Sequence, residues 1–130
     1  MAELNVQVVS VDREIWSGDA SMVKARTVDG EIGILPGHWD HLSVLSEGAV
    51  VDIRQDGQAV LAAVHGGFLL VHDDVVRILA EVAELGQDVD VARARSALQR
   101  AQENPDDEAQ EAAARRAQAR LAAAGQRDQG

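Results

Sequence analysis

The residues best suited to chemistry in this 130-residue chain are its histidines, two of which stand close to a carboxylate. Two imidazoles and one carboxylate lie within four positions, at His38, Asp40 and His41. His65 and His72 could complete a metal site or an acid–base pair with them. Alternatively, these residues belong to an exposed bent loop, because their spacing does not force His38 and His41 onto one face. We do not predict a resident metal or a required cofactor.

A second candidate is the pair Asp90 and Arg93. Asp90 precedes a helical pattern and suits the N-cap, where its carboxylate would accept a hydrogen bond from the backbone. Arg93 would then be a solvated helix residue. The chain lacks cysteine and has no Gly-x-x-x-x-Gly-Lys segment, so thiol chemistry and a P-loop are excluded.

A third candidate set consists of six arginines in the last third of the chain. Exposed helix arginines are often balanced by nearby acids, here Glu103, Glu108 and Glu111. Alternatively, their planar guanidinium groups could pair with carboxylates of another protein. The six arginines are Arg93, Arg95, Arg100, Arg115, Arg116 and Arg120.

The histidine segment follows a stretch rich in turn-forming residues. Residues 30–38, GEIGILPGH, hold three glycines and a proline, which favour bends and fix φ near about −65° respectively. We expect a folded loop here instead of a regular strand, anchored by Ile32, Ile34 and Leu35.

The first two thirds of the chain show period-two alternation, which is typical of strands with one buried face. Leu4, Val6 and Val8 share one face, and Asp56-Gly57 is a strong hairpin signal. Regular short strands predict a β-sandwich, or flattened barrel, over residues 1–85.

After Gly86 the composition changes to alanine, arginine and glutamine, and the period becomes helical. Val91, Ala94, Leu98 and Ala101 form one apolar stripe. Asn104 and Pro105 are predicted to cap and begin a second helix, which would stop near Gly125. Residues 86–130 therefore predict an α-helical hairpin whose alanine contacts bury little area.

Charge is also divided between these two parts. Residues 1–88 hold five Lys and Arg against fifteen Asp and Glu, whereas residues 89–130 hold seven of each. An acidic front part argues against nucleic-acid binding, which requires clustered cations. The most apolar stretch, residues 59–71, is shorter than the roughly 20 residues of a membrane-spanning helix, so no membrane insertion is expected.

Three segments together resemble the epsilon subunits of bacterial F-type ATP synthases. The first comprises Trp16-Ser17-Gly18 and residues 30–38, and the second is VHGGFL at residues 64–69. The third runs from LAEVAEL at residues 79–85 into VDVARA at residues 89–94. That family has a β-sandwich followed by two helices, and usually carries a proline and an aliphatic residue where this chain has Asp40 and His41.

The resemblance implies a non-catalytic rotor subunit at the cytoplasmic face of the bacterial membrane. Its sandwich would dock on the gamma subunit and the c-ring, and its helices would restrain ATP hydrolysis by contacting the alpha and beta subunits through the six arginines. The implied c-ring contacts are Glu31, His38, Asp40, His41 and Leu42.

By the same resemblance, residues 89–94 match the family's ATP-binding motif. Asp90 and Arg93 would then bind ATP as a regulatory ligand. Two alternatives stay open: a free-standing ATP-sensing or small-ligand-binding β domain, and an acid–base or metal enzyme built on His38 and His41.

Overall fold

The computed structural model describes residues 3–125 and has eight strands followed by two α-helices. The strands are β1 Leu4–Ser10, β2 Glu14–Ala20, β3 Met22–Thr27, β4 Gly30–Ile34, β5 His41–Leu45, β6 Ala49–Gln55, β7 Gln58–His72 and β8 Val75–Leu85. A short 3₁₀ turn, Gly86–Asp88, leads to α1 Val91–Gln102 and α2 Glu108–Ala123. The predicted β-sandwich followed by a helical hairpin is confirmed.

The sheet has the order β2-β1-β8-β7-β5-β3-β4, and β6 pairs with both β3 and β7. Parallel pairing joins β1 to β8, and the remaining pairs are antiparallel. This arrangement encloses one main core of aliphatic side chains, to which no helix residue contributes. As the alternation predicts, Leu4, Val6 and Val8 are completely buried.

The long strand β7 changes partner at the glycine pair Gly66-Gly67. Residues of β7 up to Val64, which lies opposite Ala49, pair with β6. Residues of β7 from Gly67 onward pair with β5. Gly66 has a φ of +63°, and a Cβ on Gly67 would collide with the carbonyl oxygen of Leu79. Both positions therefore require glycine, which lets β7 bend while it keeps β8 as its neighbour.

Two local predictions are wrong. Gly30–Ile34 is strand β4, since the preceding turn brings it into a regular antiparallel ladder with β3. Only residues 35–40 form a loop, in which Leu35 is exposed instead of acting as an anchor.

The second error concerns the start of α2. Its N-cap is Asp107, whose side chain accepts a hydrogen bond from Ala109 at 2.9 Å. Asn104 instead donates its side-chain amide to the Arg100 carbonyl and stays in the turn with Pro105. The predicted stop is confirmed, because α2 ends at Ala123 and Gly125 adopts a φ of +84°.

Candidate functional site

The outer surface of the sandwich carries an apolar row that crosses four adjacent strands. Val44 of β5 lies opposite Phe68 of β7, Phe68 lies opposite Leu79 of β8, and Leu79 lies opposite Val9 of β1. Val44, Phe68 and Leu79 are 46%, 48% and 40% exposed. We call these four residues the apolar row. Contiguous exposed apolar side chains on a sheet are typical of a protein-binding surface.

The loop of residues 35–40 presents a second exposed surface. Trp39 is 74% exposed and stacks on the His38 ring at a centroid distance of 4.5 Å, and the rings of His38 and His41 lie 5.9 Å apart. Leu42, predicted with them, is 63% exposed at the start of β5. The structure thus brings His38, Asp40, His41 and Leu42 to one end of the sandwich.

This loop is fastened to the turn between β7 and β8. His72 Nδ1 lies 2.9 Å from Asp40 Oδ2, and Gly37 donates its backbone N–H to Asp74 Oδ1 at 2.7 Å. The hydrogen bond to Asp40 raises the pKa of His72, with further support from the charge of Asp73. The carboxylates therefore hold the loop against the sheet instead of leaving it to move alone.

The same geometry separates His65 from the other histidines. His65 lies seven residues before His72 on β7, beyond the bend at Gly66-Gly67, and is buried beneath α2. It therefore cannot join His38 and His41 in one site. Among residues 3–125, no three His, Asp or Glu side chains are arranged to hold a metal ion.

Glu31 lies apart from the loop. Its carboxylate is 3.6 Å from Lys24 Nζ, and it lines a cleft that β3 and β6 form with α2, beside Arg115 and Gln118.

The helical hairpin rests on the sandwich through α2. Ala119 and Ala123 of α2 pack on Ala63 of β7, whereas α1 packs mainly on α2 through Ala94 and Leu98. The α1 stripe predicted from the sequence is confirmed, since Ala94, Leu98 and Ala101 are buried.

Two glycines let the α2 backbone approach the sandwich closely. A Cβ on Gly48 would collide with the carbonyl of Arg115, and a Cβ on Gly86 would collide with the carbonyl of Ala123. We call this contact region the α2 seat; it comprises Gly48, Gly86, Ala63, Ala119 and Ala123. No sequence signal distinguishes Gly48 and Gly86 from ordinary turn glycines, because their neighbours come from far along the chain.

Ion pairs flank the α2 seat on both sides. Arg116 Nη1 lies 2.9 Å from Glu47 Oε1, and Arg120 pairs with Glu84. These two of the six predicted arginines therefore meet acidic partners within the chain. Arg93, Arg100 and Arg115 are exposed on the hairpin, where Arg95 also lies.

Asp90 is the N-cap of α1. Its Oδ1 accepts a hydrogen bond from the backbone N–H of Arg93 at 3.1 Å, as the capping hypothesis predicts. The Arg93 side chain is exposed one turn into the helix, near the positive end of the helix dipole.

Comparison with known proteins relates the whole chain to one family. Residues 3–86 match the profile of the family described as ATP synthase, Delta/Epsilon chain, beta-sandwich domain. The ATP synthase epsilon chain of Streptomyces griseus subsp. griseus is 48% identical over 122 residues, 94% of this chain and 95% of the relative. The epsilon chain of Rhodococcus opacus is 52% identical over 99 residues, 75% of this chain and 81% of the relative.

The fold is similar to that of a solved protein. One chain in the cryo-EM structure of the Euglena gracilis mitochondrial ATP synthase, OSCP/F1/c-ring, superposes with a TM-score of 0.80 at 26% identity, covering 95% of this chain and 82% of that chain. No helix within residues 3–125 has the length and apolar character needed to cross a membrane.

The close contact at Gly86 should not tolerate a larger side chain. Gly86→Ala should weaken hairpin docking by about 1–3 kcal/mol, the usual cost of overpacking, because the new methyl group would collide with the Ala123 carbonyl. Gly33→Ala is the matched control, since that position has open space and no positive φ. The rate of tryptic cleavage within residues 91–123 should rise for Gly86→Ala alone; equal rates for both variants would contradict the α2 seat.

Proposed function

This chain belongs to the ATP synthase epsilon chains, and we propose that it is a non-catalytic rotor component of the central stalk in an F-type, proton-translocating enzyme. In this role the sandwich couples proton flow to ATP synthesis and the hairpin restrains ATP hydrolysis. The apolar row carries the proposal, because it offers a ready contact surface on a rigid sheet. The Euglena chain of similar fold comes from an F1 and c-ring assembly, which supports the same placement.

The proposed partner of the apolar row is the gamma subunit of the stalk. Val44, Phe68 and Leu79 are each roughly half exposed in the isolated chain, and covering them would bury apolar area at about 25 cal/mol per Å². Their strands also form the main core, so that torque would pass into a rigid body.

The proposed partner of the histidine loop is the c-ring. Trp39 and Leu35 project from a loop that Asp40 and Asp74 tie to the β7–β8 turn, and Leu42 extends the exposed surface. On the basis of the family resemblance we also include His38 and His41 of the loop, and Glu31, which lies apart from the loop. Through these partners the chain would lie at the cytoplasmic face of the bacterial membrane as a peripheral protein.

Stalk docking can be tested with Phe68→Glu. A carboxylate buried in the interface should weaken binding to purified gamma subunit by tenfold or more, since an unpaired buried charge costs several kcal/mol. The control is Val11→Glu, at a position that is 77% exposed in the β1–β2 turn. Equal affinities of the two variants for gamma, measured by titration, would exclude the apolar row as the docking surface.

A Trp39→Glu variant in the same assay separates the two proposed contacts. It should bind gamma normally, yet capture less c-ring when the gamma complex is mixed with detergent-solubilised ring. Loss of gamma binding would show that the loop belongs to the stalk contact instead.

Restraint of hydrolysis is proposed to come from the hairpin. Truncation after Asp88 removes both helices but no residue of the main core. The truncated chain should therefore fold, assemble and support proton pumping, while ATPase activity of the reconstituted enzyme rises severalfold. Unchanged ATPase activity with a folded truncated chain would show that these helices are not inhibitory.

We also propose ATP as a regulatory ligand at Asp90 and Arg93. The exposed Arg93 guanidinium could pair with phosphate oxygens beside the N-terminus of α1. Binding should stabilise the chain by about 2.7 kcal/mol when ATP is at a hundredfold excess over Kd. Amide resonances near Asp90 should shift with ATP in the unmodified chain and in Arg13→Ala, but stay fixed in Arg93→Ala; no shift at millimolar ATP in the unmodified chain would leave Asp90 as a cap only.

A further inference from the structure

His65 is a buried imidazole inside the contact between the sandwich and the hairpin. It is 7% exposed, and its Nδ1 has no hydrogen-bond partner. It follows Ala63 by two residues on β7, so both side chains lie on the strand face that meets α2. Burial of an imidazole with an unused ring nitrogen costs free energy that an apolar residue would not.

Charged groups of both signs face His65 from three sides. Glu47 precedes β6, Glu84 lies on β8, and Arg116 and Arg120 face them from α2. Each carboxylate is already paired with one arginine. The exposed Glu81 side chain lies over the neighbouring Gly66. Burial is the strongest influence on His65, and an imidazolium there would meet two carboxylates that each already face a guanidinium group, so the effect of burial is not offset.

We propose that His65 makes the α2 seat sensitive to pH, such that protonation of its imidazole releases the helical hairpin from the sandwich. The proton is disfavoured in the docked form, because the ring is buried beneath α2 and the neighbouring glutamates are already paired with arginines. Once α2 leaves, water can solvate the charged ring. Within residues 3–125, the apolar cluster that supports α2 on the sheet consists of three alanines with Val50 and Leu61, so its apolar contribution to docking is small.

The direction of the pH effect follows from the two protonation states. Burial lowers the pKa of His65 below the ordinary 6.5, and the two arginines oppose the upward pull of the two glutamates. The undocked form therefore binds more protons than the docked form. Docking is fully favourable above about pH 6.5 and weakens as the pH falls below it, by at most tenfold in the docking constant per pH unit.

Only the effect of hairpin release on ATP hydrolysis rests on the proposed function. If the hairpin restrains hydrolysis, then acidification would change how often it is free to reach the catalytic subunits. The release itself is a property of the isolated chain. A test on the isolated chain therefore fails or succeeds independently of the ATPase experiment above.

The chain has no cysteine, so two can be introduced for labelling. Gln58→Cys on β7 and Gln118→Cys on α2 are both exposed and carry a donor and an acceptor fluorophore. Between pH 7.5 and pH 5.5, energy transfer should fall in the otherwise unmodified chain and stay constant in the His65→Gln background. His72→Gln, which removes an exposed histidine, should retain the fall.

Constant energy transfer with His65 present would overturn the proposal, and so would an equal fall in His65→Gln. Should His65→Gln fail to fold, the Cε1–H resonance of His65 in the unmodified chain decides. A titration midpoint below 6.5 that coincides with hairpin release supports the proposal. A midpoint at or above 6.5, or titration while the hairpin stays docked, contradicts it.

Discussion

The close approach of the α2 backbone to Gly48 and Gly86 is the constraint on which the arrangement of the C-terminal part depends. Neither position has room for a Cβ, so the carbonyls of Arg115 and Ala123 can lie directly against the sandwich. Because α2 lies so close to the sandwich, Arg116 reaches Glu47 and Arg120 reaches Glu84. It also covers His65, and it fixes α1, which packs mainly on α2.

The contact is close but energetically modest. Its apolar centre consists of Ala63, Ala119 and Ala123 with partly buried neighbours, and alanine contributes little area. The Glu47–Arg116 pair is more than a third exposed at each side chain, so it contributes about 1 kcal/mol at most. A hairpin held in this way can leave while the sandwich, with its separate core, stays folded. This division matches the separate roles proposed above for the apolar row and for the hairpin.

Sequence patterns predicted the parts of the structure that local rules determine. Burial of Leu4, Val6 and Val8 follows from alternation, and the Asp90 cap follows from its place before a helical stripe. Of the loop expected at residues 30–38, residues 30–34 form a strand, because pairing with β3 overrides the local preference of glycine. At the start of α2, the Asp107 side chain accepts the hydrogen bond from the backbone N–H of Ala109, so Asp107 is the N-cap instead of Asn104.

The features that determine the α2 seat could not be predicted in this way. Gly48 and Gly86 are required because of residues nearly 70 and 40 positions later in the sequence, and His65 is buried by the same distant helix. The apolar row is likewise assembled from four strands, each of which contributes a single residue to it.

Native-state hydrogen exchange of the isolated chain measures whether the hairpin opens as a unit while the sandwich stays intact. Amides of α1 and α2 should exchange together, through an opening of much lower free energy than the one that exposes β7 and β8. Equal opening free energies for the helices and for β7 would show that the hairpin leaves only when the whole chain unfolds, which would contradict a hairpin that opens separately.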